Sequence, residues 1–229
     1  MLLEAKSLTK SFHRGRVKAV DGVSFSLKKG ETLGVIGESG SGKSTLAKLV
    51  MKLAAPDSGE IYFDGKNLAR ASAADLKIFR RKAQIIFQDP FLSLDPRWKV
   101  SEILAEPFFV NGFKDKEAIR EKVKQLLFSV ELNESFLGRA PRELSGGECQ
   151  RIAIARAISV EPDLVVCDEP VSALDVLVQA QILNLLLKLQ KEKGVSYLFI
   201  SHDLRVVAHM SDRVLVMKGG KAALQNTLQ

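Results

Sequence analysis

The segment that decides the fold reads Gly37-Glu38-Ser39-Gly40-Ser41-Gly42-Lys43-Ser44-Thr45. It follows an apolar strand pattern, Leu33–Ile36, and leads into a helical pattern, so it matches the phosphate-binding loop G-x-x-x-x-G-K-[ST] in its expected context. The glycines allow backbone N–H groups to surround phosphate oxygens. Lys43 supplies a cation for the β- and γ-phosphates, and the Ser44 hydroxyl is a ligand for Mg²⁺. The segment predicts a nucleoside triphosphate site without specifying the base.

A second motif is an apolar strand that ends in two carboxylates, Leu164-Val165-Val166-Cys167-Asp168-Glu169. Ligands bind at the carboxyl ends of parallel strands, which is where these acids fall. We expect Asp168 to hold Mg²⁺, directly or through water, and Glu169 to polarise an attacking water. The alternative interpretation is that the two acids are solvated at the ordinary end of a strand. The phosphate loop elsewhere in the sequence favours the functional interpretation over this alternative.

The third motif is Leu144-Ser145-Gly146-Gly147-Glu148, before a helical pattern over Cys149–Ser159. Ser145 and Glu148 form the S-x-x-E spacing of a capping box, so Ser145 is the predicted N-cap. Gly146 and Gly147 weaken the helix but allow a ligand to approach its free N–H groups, which indicates an anion site. A capped helix without a ligand stays open as the structural alternative.

Strands alternate with helices along the chain, which predicts an α/β fold. From prolines and helical periodicity we expect a helical subdomain in residues 89–160, inserted into a core formed by residues 1–88 and 161–229. The predicted strands are Leu2–Ser7, Val17–Leu27, Thr32–Ile36, Glu60–Asp64, Ala83–Phe87, Leu164–Cys167, Ser196–Ile200 and Arg213–Met217. The predicted helices outside the third motif are Lys43–Leu53, Ala73–Arg81, Val100–Val110, Asp115–Val130, Val176–Lys191 and Leu204–Met210.

Composition excludes several classes of protein. The 229 residues are 46% hydrophobic and 27% charged, as in ordinary globular proteins. Two cysteines do not build a disulfide framework, and three histidines are too few for a multi-histidine metal site. The N-terminal residues lack signal-peptide character, and no apolar run is long enough to span a bilayer. The net charge of +7 suits binding to a phosphate ligand or to a membrane face. The sequence lacks an aromatic-basic motif of the kind that binds nucleic acid.

The three motifs, in this order, resemble the ATP-binding subunits of ATP-binding cassette (ABC) transporters over nearly the whole chain. The resemblance implies a RecA-like P-loop core, an N-terminal antiparallel β subdomain and an inserted helical subdomain. It also implies ATP and Mg²⁺ as cofactors and ATP hydrolysis as the activity. One position departs from the family, because the fifth residue of the signature is usually Gln and is Glu148 here. We expect Glu148 to weaken the ATP site shared with the partner only modestly, since Glu and Gln both complete a capping box and the start of the helix is preserved.

The resemblance assigns a role to single positions that have ordinary structural explanations when taken alone. It implies that Phe12 stacks on adenine, that Gln88 senses Mg²⁺ and that His202 contacts the γ-phosphate. It implies that Ser172-Ala173-Leu174-Asp175 is the D-loop and that Glu169 is the catalytic base. The implied catalytic residues are Lys43, Glu169 and His202, and the implied Mg²⁺ ligands are Ser44, Gln88 and Asp168. The implied nucleotide contacts are Phe12, Gly37, Ser39, Gly40, Ser41, Gly42, Lys43, Ser44, Thr45, Gln88, Ser145, Gly146, Gly147, Glu148 and Asp175.

The stretches Gln88–Arg97 and Cys167–Val176 resemble the second ATPase subunit of bacterial dipeptide, oligopeptide and nickel importers. This implies a peripheral subunit on the cytoplasmic face of the cell membrane. Its implied partners are a paralogous ATPase in a head-to-tail dimer, two transmembrane permeases and, indirectly, a substrate-binding protein, with no nucleic acid. Peptide carriers often have a C-terminal His-Pro-Tyr-Thr segment that is missing before Gln229. Two explanations of the missing segment therefore stay open: import of nickel or a metal chelate, and a truncated chain. A soluble ABC ATPase of DNA repair or translation stays open as the alternative function.

Overall fold

The computed structural model describes residues 1–12 and 15–225. The first third of the chain contains β1 (Leu3–Phe12), β2 (Val17–Leu27), β3 (Thr32–Ile36), α1 (Lys43–Val50), β4 (Ser58–Phe63), β5 (Lys66–Asn67), α2 (Ala73–Lys82) and β6 (Ala83–Ile86). The middle contains α3 (Pro90–Ser93), α4 (Val100–Val110), α5 (Lys116–Ser129), two 3₁₀ turns (Glu134–Phe136 and Pro141–Glu143) and α6 (Gly146–Ile158). The last part contains β7 (Leu164–Asp168), α7 (Val176–Lys193), β8 (Ser196–Ser201), α8 (Leu204–Met210), β9 (Arg213–Lys218) and β10 (Lys221–Gln225).

The strands form two sheets. A four-stranded antiparallel sheet has the order β2-β1-β4-β5. A six-stranded sheet has the order β10-β9-β3-β8-β7-β6, in which β10 is antiparallel and the other five strands are parallel. The α/β fold class expected from the sequence is confirmed.

The parallel sheet brings distant parts of the chain to one edge. Strands β7 and β8 are buried at every position, as expected for apolar strands that helices cover on both faces. In the register, Ile36 pairs with Ser201, Asp168 with Ile200, and Ile86 with Cys167. The residues that follow β3, β6, β7 and β8 therefore meet at the same end of the sheet.

The described elements between Asp89 and Val160 are all helical. The apolar face of α5 is buried at Ile119, Val123 and Leu127. These side chains belong to the same hydrophobic cluster as Cys167 of the parallel sheet. The helices thus share a core with the sheet, and the division into residues 1–88 with 161–229 and residues 89–160 stays a prediction.

Most predicted boundaries differ from the structure by a few residues. Strand β1 runs on to Phe12, because β2 pairs with it as far as Val17 through three register shifts. Helix α1 ends at Val50, and Lys52 then takes a left-handed φ of 54°. Strand β10 was not predicted; it pairs with β9 through the turn at Gly219-Gly220. Within the described ranges, no helix is both long and apolar enough to cross a membrane.

Candidate active site

A cavity of about 660 Å³ lies where the carboxyl ends of β3, β7 and β8 meet the start of α1. Residues from five separate parts of the sequence line it: Ala19, Glu38, Ser39, Gly40, Gly42, Lys43, Ser44, Thr45, Gln88, Glu169 and His202. The cavity therefore brings together the phosphate loop, one residue of the acidic pair and two of the positions taken from the family resemblance. Ala19 was not predicted, because only the placement of β2 beside the loop brings it there.

Two glycines of the loop are required by its close contacts. A Cβ on Gly37 would lie 2.3 Å from the Met217 carbonyl oxygen, and a Cβ on Gly42 would lie 1.9 Å from the Ala19 carbonyl oxygen. Gly42 also has a φ of 106°, a conformation that residues with a side chain rarely adopt. Helix α1 begins at the next residue, so its N-terminal N–H groups and its partial positive charge face the cavity.

Lys43 is buried at the first turn of α1. Its ammonium donates hydrogen bonds to the carbonyl oxygens of Gly37 (2.7 Å) and Glu38 (3.0 Å). The Nζ atom also lies 3.9 Å from Glu169 Oε1. The neighbouring Ser41 hydroxyl is buried and has no hydrogen-bond partner within the described residues. The loop thus holds a lysine charge at the cavity wall, where the charge is available to an anion.

Ser44, which lines the cavity, forms an oxygen pair with Asp168 beside it. Ser44 Oγ donates a 3.0 Å hydrogen bond to Asp168 Oδ1. Burial raises the pKa of Asp168 above its ordinary value, the neighbouring Glu169 carboxylate adds to the rise, and the Ser44 hydrogen bond opposes it. A buried carboxylate and a hydroxyl are hard oxygen ligands, which suit a magnesium ion better than a soft transition metal.

Glu169 is held in an unusual backbone conformation beside this pair. Its φ is 52°, and its N–H donates a 3.0 Å hydrogen bond to the Ile200 carbonyl oxygen of β8. Its Oε2 lies 3.1 Å from His202 Nδ1, in the turn that follows β8. The carboxylate and the imidazole therefore face the same cavity, within hydrogen-bonding distance of each other.

The signature segment lies outside the residues that line this cavity. The predicted capping box is confirmed, because the Ser145 N–H donates to Glu148 Oε2 at 2.7 Å and the Glu148 N–H donates to Ser145 Oγ at 3.3 Å. Helix α6 begins at Gly146, three residues earlier than the helical pattern predicted. A Cβ on Gly147 would lie 2.6 Å from Val178 Cγ1, so packing against α7 also requires a small residue there.

Five further candidate residues are also absent from the described lining of the cavity, namely Gly37, Ser41, Asp168, Phe12 and Asp175, of which the last two lie away from the phosphate loop and the acidic pair. Phe12 ends β1 with 43% of its surface exposed, and its ring centre lies 5.9 Å from the ammonium of Lys10. Asp175 is exposed, and its Oδ1 accepts a 3.0 Å hydrogen bond from the Val178 N–H at the start of α7. Both residues therefore have an ordinary local contact, and their predicted contact with a nucleotide remains a prediction.

Comparison with known proteins places these features in a family. The ABC transporter model matches residues 20–172. The chain is 54% identical over 208 residues to the oligopeptide transport ATP-binding protein AppF of Bacillus subtilis (strain 168), covering 90% of this chain and 63% of that protein. It is 50% identical over 211 residues to the dipeptide transport ATP-binding protein DppF of Escherichia coli (strain K12), covering 92% of this chain and 63% of that protein. The chain therefore spans less than two thirds of the length of these curated relatives.

Solved structures share the whole fold. A dimeric ATP-binding cassette, MJ0796, in a post-hydrolysis state with ADP and Pi bound, superposes with a TM-score of 0.88 at 30% identity and covers 99% of both chains. The structure of cbiO1 from Clostridium perfringens, part of the ABC transporter complex cbiONQ, superposes with a TM-score of 0.87 at 31% identity. It covers 99% of this chain and 88% of that chain.

Proposed function

The chain belongs to the ABC transporter family, and from this membership we propose that it binds and hydrolyses ATP to power a bacterial importer. The observation that carries the proposal is the convergence of Lys43, Ser44, Glu169 and His202 on one cavity, with Asp168 bonded to Ser44. A cation, a hard oxygen pair for Mg²⁺ and a carboxylate that can activate water are groups that serve phosphoryl transfer to water.

The cavity is suited to a triphosphate. Backbone N–H groups of the loop and of the first turn of α1 face the phosphate oxygens, and Lys43 exchanges its two carbonyl partners for the β- and γ-phosphates. Mg²⁺ fits the oxygen pair of Ser44 and Asp168, with Gln88 lining the same cavity as a further oxygen ligand. When bound, the ion neutralises charge that develops on the phosphates.

Glu169 is placed to act as general base in hydrolysis. Its carboxylate accepts the proton of a water whose oxygen attacks the γ-phosphorus, while the bond from that phosphorus to the bridging oxygen of ADP breaks. His202 Nδ1, at 3.1 Å, orients the carboxylate, and the proposal assigns the distal ring nitrogen to a γ-phosphate oxygen.

A second ATPase subunit completes the site in this proposal. Ser145, Gly146, Gly147 and Glu148 lie apart from the cavity, yet they form a helix N-terminus with free N–H groups. In a head-to-tail dimer each triphosphate lies between the loop of one chain and this helix start of the other. The dimeric state of the superposed cassette MJ0796 supports the arrangement. The resemblance to the importer branch favours a paralogous ATPase as the partner. In this arrangement Phe12 contacts adenine, and Asp175 contacts the dimer partner.

A groove along α4 supports a membrane partner. It encloses about 520 Å³ and is lined mainly by apolar side chains, among them Trp98, Phe109 and Val110. Trp98, Phe109 and Val110 are 36%, 50% and 68% exposed in this one groove, and adjoining exposed apolar side chains mark interaction sites. We therefore place the permease on this groove, which puts the chain at the cytoplasmic face of a bacterial membrane as a peripheral subunit. The substrate-binding protein meets the permeases and not this chain.

The names of the relatives favour di- or oligopeptides as cargo. Nickel or a metal chelate is the alternative cargo, since the described cavity is proposed to bind the nucleotide and not the transported solute. The soluble alternative in DNA repair or translation has no such support among these relatives.

Reconstitution tests the function. The chain, co-purified with its partner ATPase and the two permeases in proteoliposomes, should hydrolyse ATP faster when a binding protein loaded with peptide is added. Replacing the peptide with a nickel chelate distinguishes the two cargoes. An assembled complex that binds no ATP would refute the proposal.

A further inference from the structure

Glu169, the proposed base, has a backbone conformation that needs support. Its φ of 52° lies in the left-handed region, which a glutamate adopts only when its surroundings impose it. This conformation turns the side chain of Glu169 from the end of β7 into the cavity, where it meets His202 and Lys43. The contacts that impose this conformation therefore fix the position of the carboxylate.

One residue supplies two of these contacts. The Ser172 N–H donates a 3.3 Å hydrogen bond to the carbonyl oxygen of Glu169, and Ser172 Oγ donates a 3.1 Å hydrogen bond to the same oxygen. On the other side, the Glu169 N–H donates to the Ile200 carbonyl oxygen of β8. The peptide group on each side of the Glu169 Cα atom is thus held by a donor or an acceptor, which restricts rotation about φ and ψ.

Ser172 also belongs to the segment that joins the base to α7 and passes beside the start of the signature helix α6. Two residues later, the Leu174 carbonyl oxygen accepts a 2.9 Å hydrogen bond from Gln179 Nε2 of α7. Leu174 Cδ2 lies 3.3 Å from the place that a Cβ on Gly146 would occupy. Leu174 therefore packs against the start of α6, two residues along the chain from Ser172.

Together these contacts lead to one assignment. We propose that Ser172 is a positioning residue for hydrolysis: its hydroxyl holds the carbonyl of Glu169 and so fixes the base towards the cavity. Ser172 is not among the residues that line the described cavity, and both of its hydrogen bonds described above go to Glu169, so we assign its action to the base of its own chain. The inference rests on the proposed function, because it takes Glu169 as the base.

The test measures kcat and KM for ATP in the assembled transporter. Ser172→Ala should lower kcat by about fivefold, since one hydrogen bond of about 1 kcal/mol is lost, with KM changed by less than about twofold. Ser172→Thr keeps the hydroxyl and should restore kcat to within about twofold of the wild type. The control is Ser129→Ala on α5, because Ser129 Oγ makes the same type of bond to the carbonyl oxygen three residues earlier, at 2.7 Å, far from the site.

A double-mutant cycle separates positioning from a general loss of structure. In a Glu169→Gln background the residual rate should not fall further when Ser172→Ala is added, because the positioned base is already absent. A wild-type kcat in Ser172→Ala, an equal fall in both backgrounds, or no recovery with Ser172→Thr would each overturn the assignment. A wild-type complex that binds ATP without hydrolysing it would instead refute the proposed function.

Discussion

Ser44 Oγ and Asp168 Oδ1 are joined by a 3.0 Å hydrogen bond, although the two residues lie 124 positions apart in the sequence. The bond links the first turn of α1 to the last residue of β7. It exists because β3 and β7 flank β8 and all three strands end at one edge. Two of the proposed Mg²⁺ ligands are therefore in direct contact, and substitutions around this pair test the site.

The first prediction concerns Lys43. Lys43→Ala removes the cation at the cavity wall, so ATP affinity should fall at least about tenfold, the loss expected of a desolvated charge-assisted contact. Equilibrium binding of a fluorescent ATP analogue measures it. Lys122→Ala, on the exposed face of α5, is the control and should bind ATP as the wild type does. Unchanged affinity in Lys43→Ala would overturn the assignment of the phosphate loop.

The second prediction concerns Glu169. Glu169→Gln keeps the shape of the side chain but cannot accept a proton, so hydrolysis should fall by about 10² to 10⁴-fold while ATP binding persists. Phosphate release and ATP binding are measured on the same samples. Glu161→Gln is a matched control, since Glu161 is also a glutamate with a positive φ (53°) but lies at the opposite end of β7. Wild-type hydrolysis by Glu169→Gln would mean that the base is another residue.

The third prediction concerns the signature residue Glu148. In Glu148→Gln the amide oxygen still accepts from the Ser145 N–H, so α6 should begin at the same residue and stability should change by less than about 0.5 kcal/mol. The ATPase rate should rise by less than about tenfold, because the carboxylate is turned back onto its own helix N-terminus. A rise of about a hundredfold or more would show that the charge impairs the site shared with the partner.

The fourth prediction concerns the pH dependence of stability at Asp168. Burial raises the pKa of Asp168 in the folded state, so its ionisation opposes folding once the pH rises above its unfolded value. Asp168→Asn should therefore stabilise the protein without ligand at pH 7, and the gain should vanish at acid pH. Urea unfolding at several pH values measures this effect. The same variant should lose the stabilisation that Mg²⁺ and ATP confer on the wild type.

Asp163 provides the opposite case for the same measurement. Burial alone would raise its pKa, but hydrogen bonds and ion pairs with Lys82 and Lys29 lower it overall. Asp163→Asn should therefore destabilise the protein at pH 7, and this loss should shrink as the pH falls through the folded pKa. Equal pH profiles for the Asp168 and Asp163 variants would contradict the electrostatic assignment of both carboxylates.

The fifth prediction concerns Phe12, the residue expected to stack on adenine. Its ring is exposed, so Phe12→Ala should leave folding stability within about 0.5 kcal/mol. It should raise KM for ATP by about tenfold, the loss of one stacking contact, whereas Phe12→Trp should keep the affinity. Val17→Ala, which truncates the exposed partner of Phe12 on β2, controls for loss of apolar surface. An unchanged KM in Phe12→Ala would assign the adenine contact elsewhere.

Local sequence patterns predicted the parts of the fold that local interactions decide. Val17–Leu27, Thr32–Ile36 and Val100–Val110 have the expected boundaries. The capping box of Ser145 and Glu148 was also predictable, because both partners lie within one helical turn. The β10 strand was not, since its sequence Lys221–Gln225 carries no alternation of its own and is a strand because β9 pairs with it.

The sequence by itself determined that the chain has a phosphate loop, an acidic pair and a capped glycine-rich helix, because each motif is a run of neighbouring residues. Only the tertiary structure decided which of these motifs share a cavity. It set Ser44 against Asp168, turned Glu169 towards His202 and left the start of α6 outside. The physical reason is twofold. Strand order in the parallel sheet depends on contacts between residues that lie far apart in the sequence. The turn at Glu169 depends on a left-handed backbone conformation that Ser172 holds by a hydrogen bond. Spacing along a chain encodes neither of these.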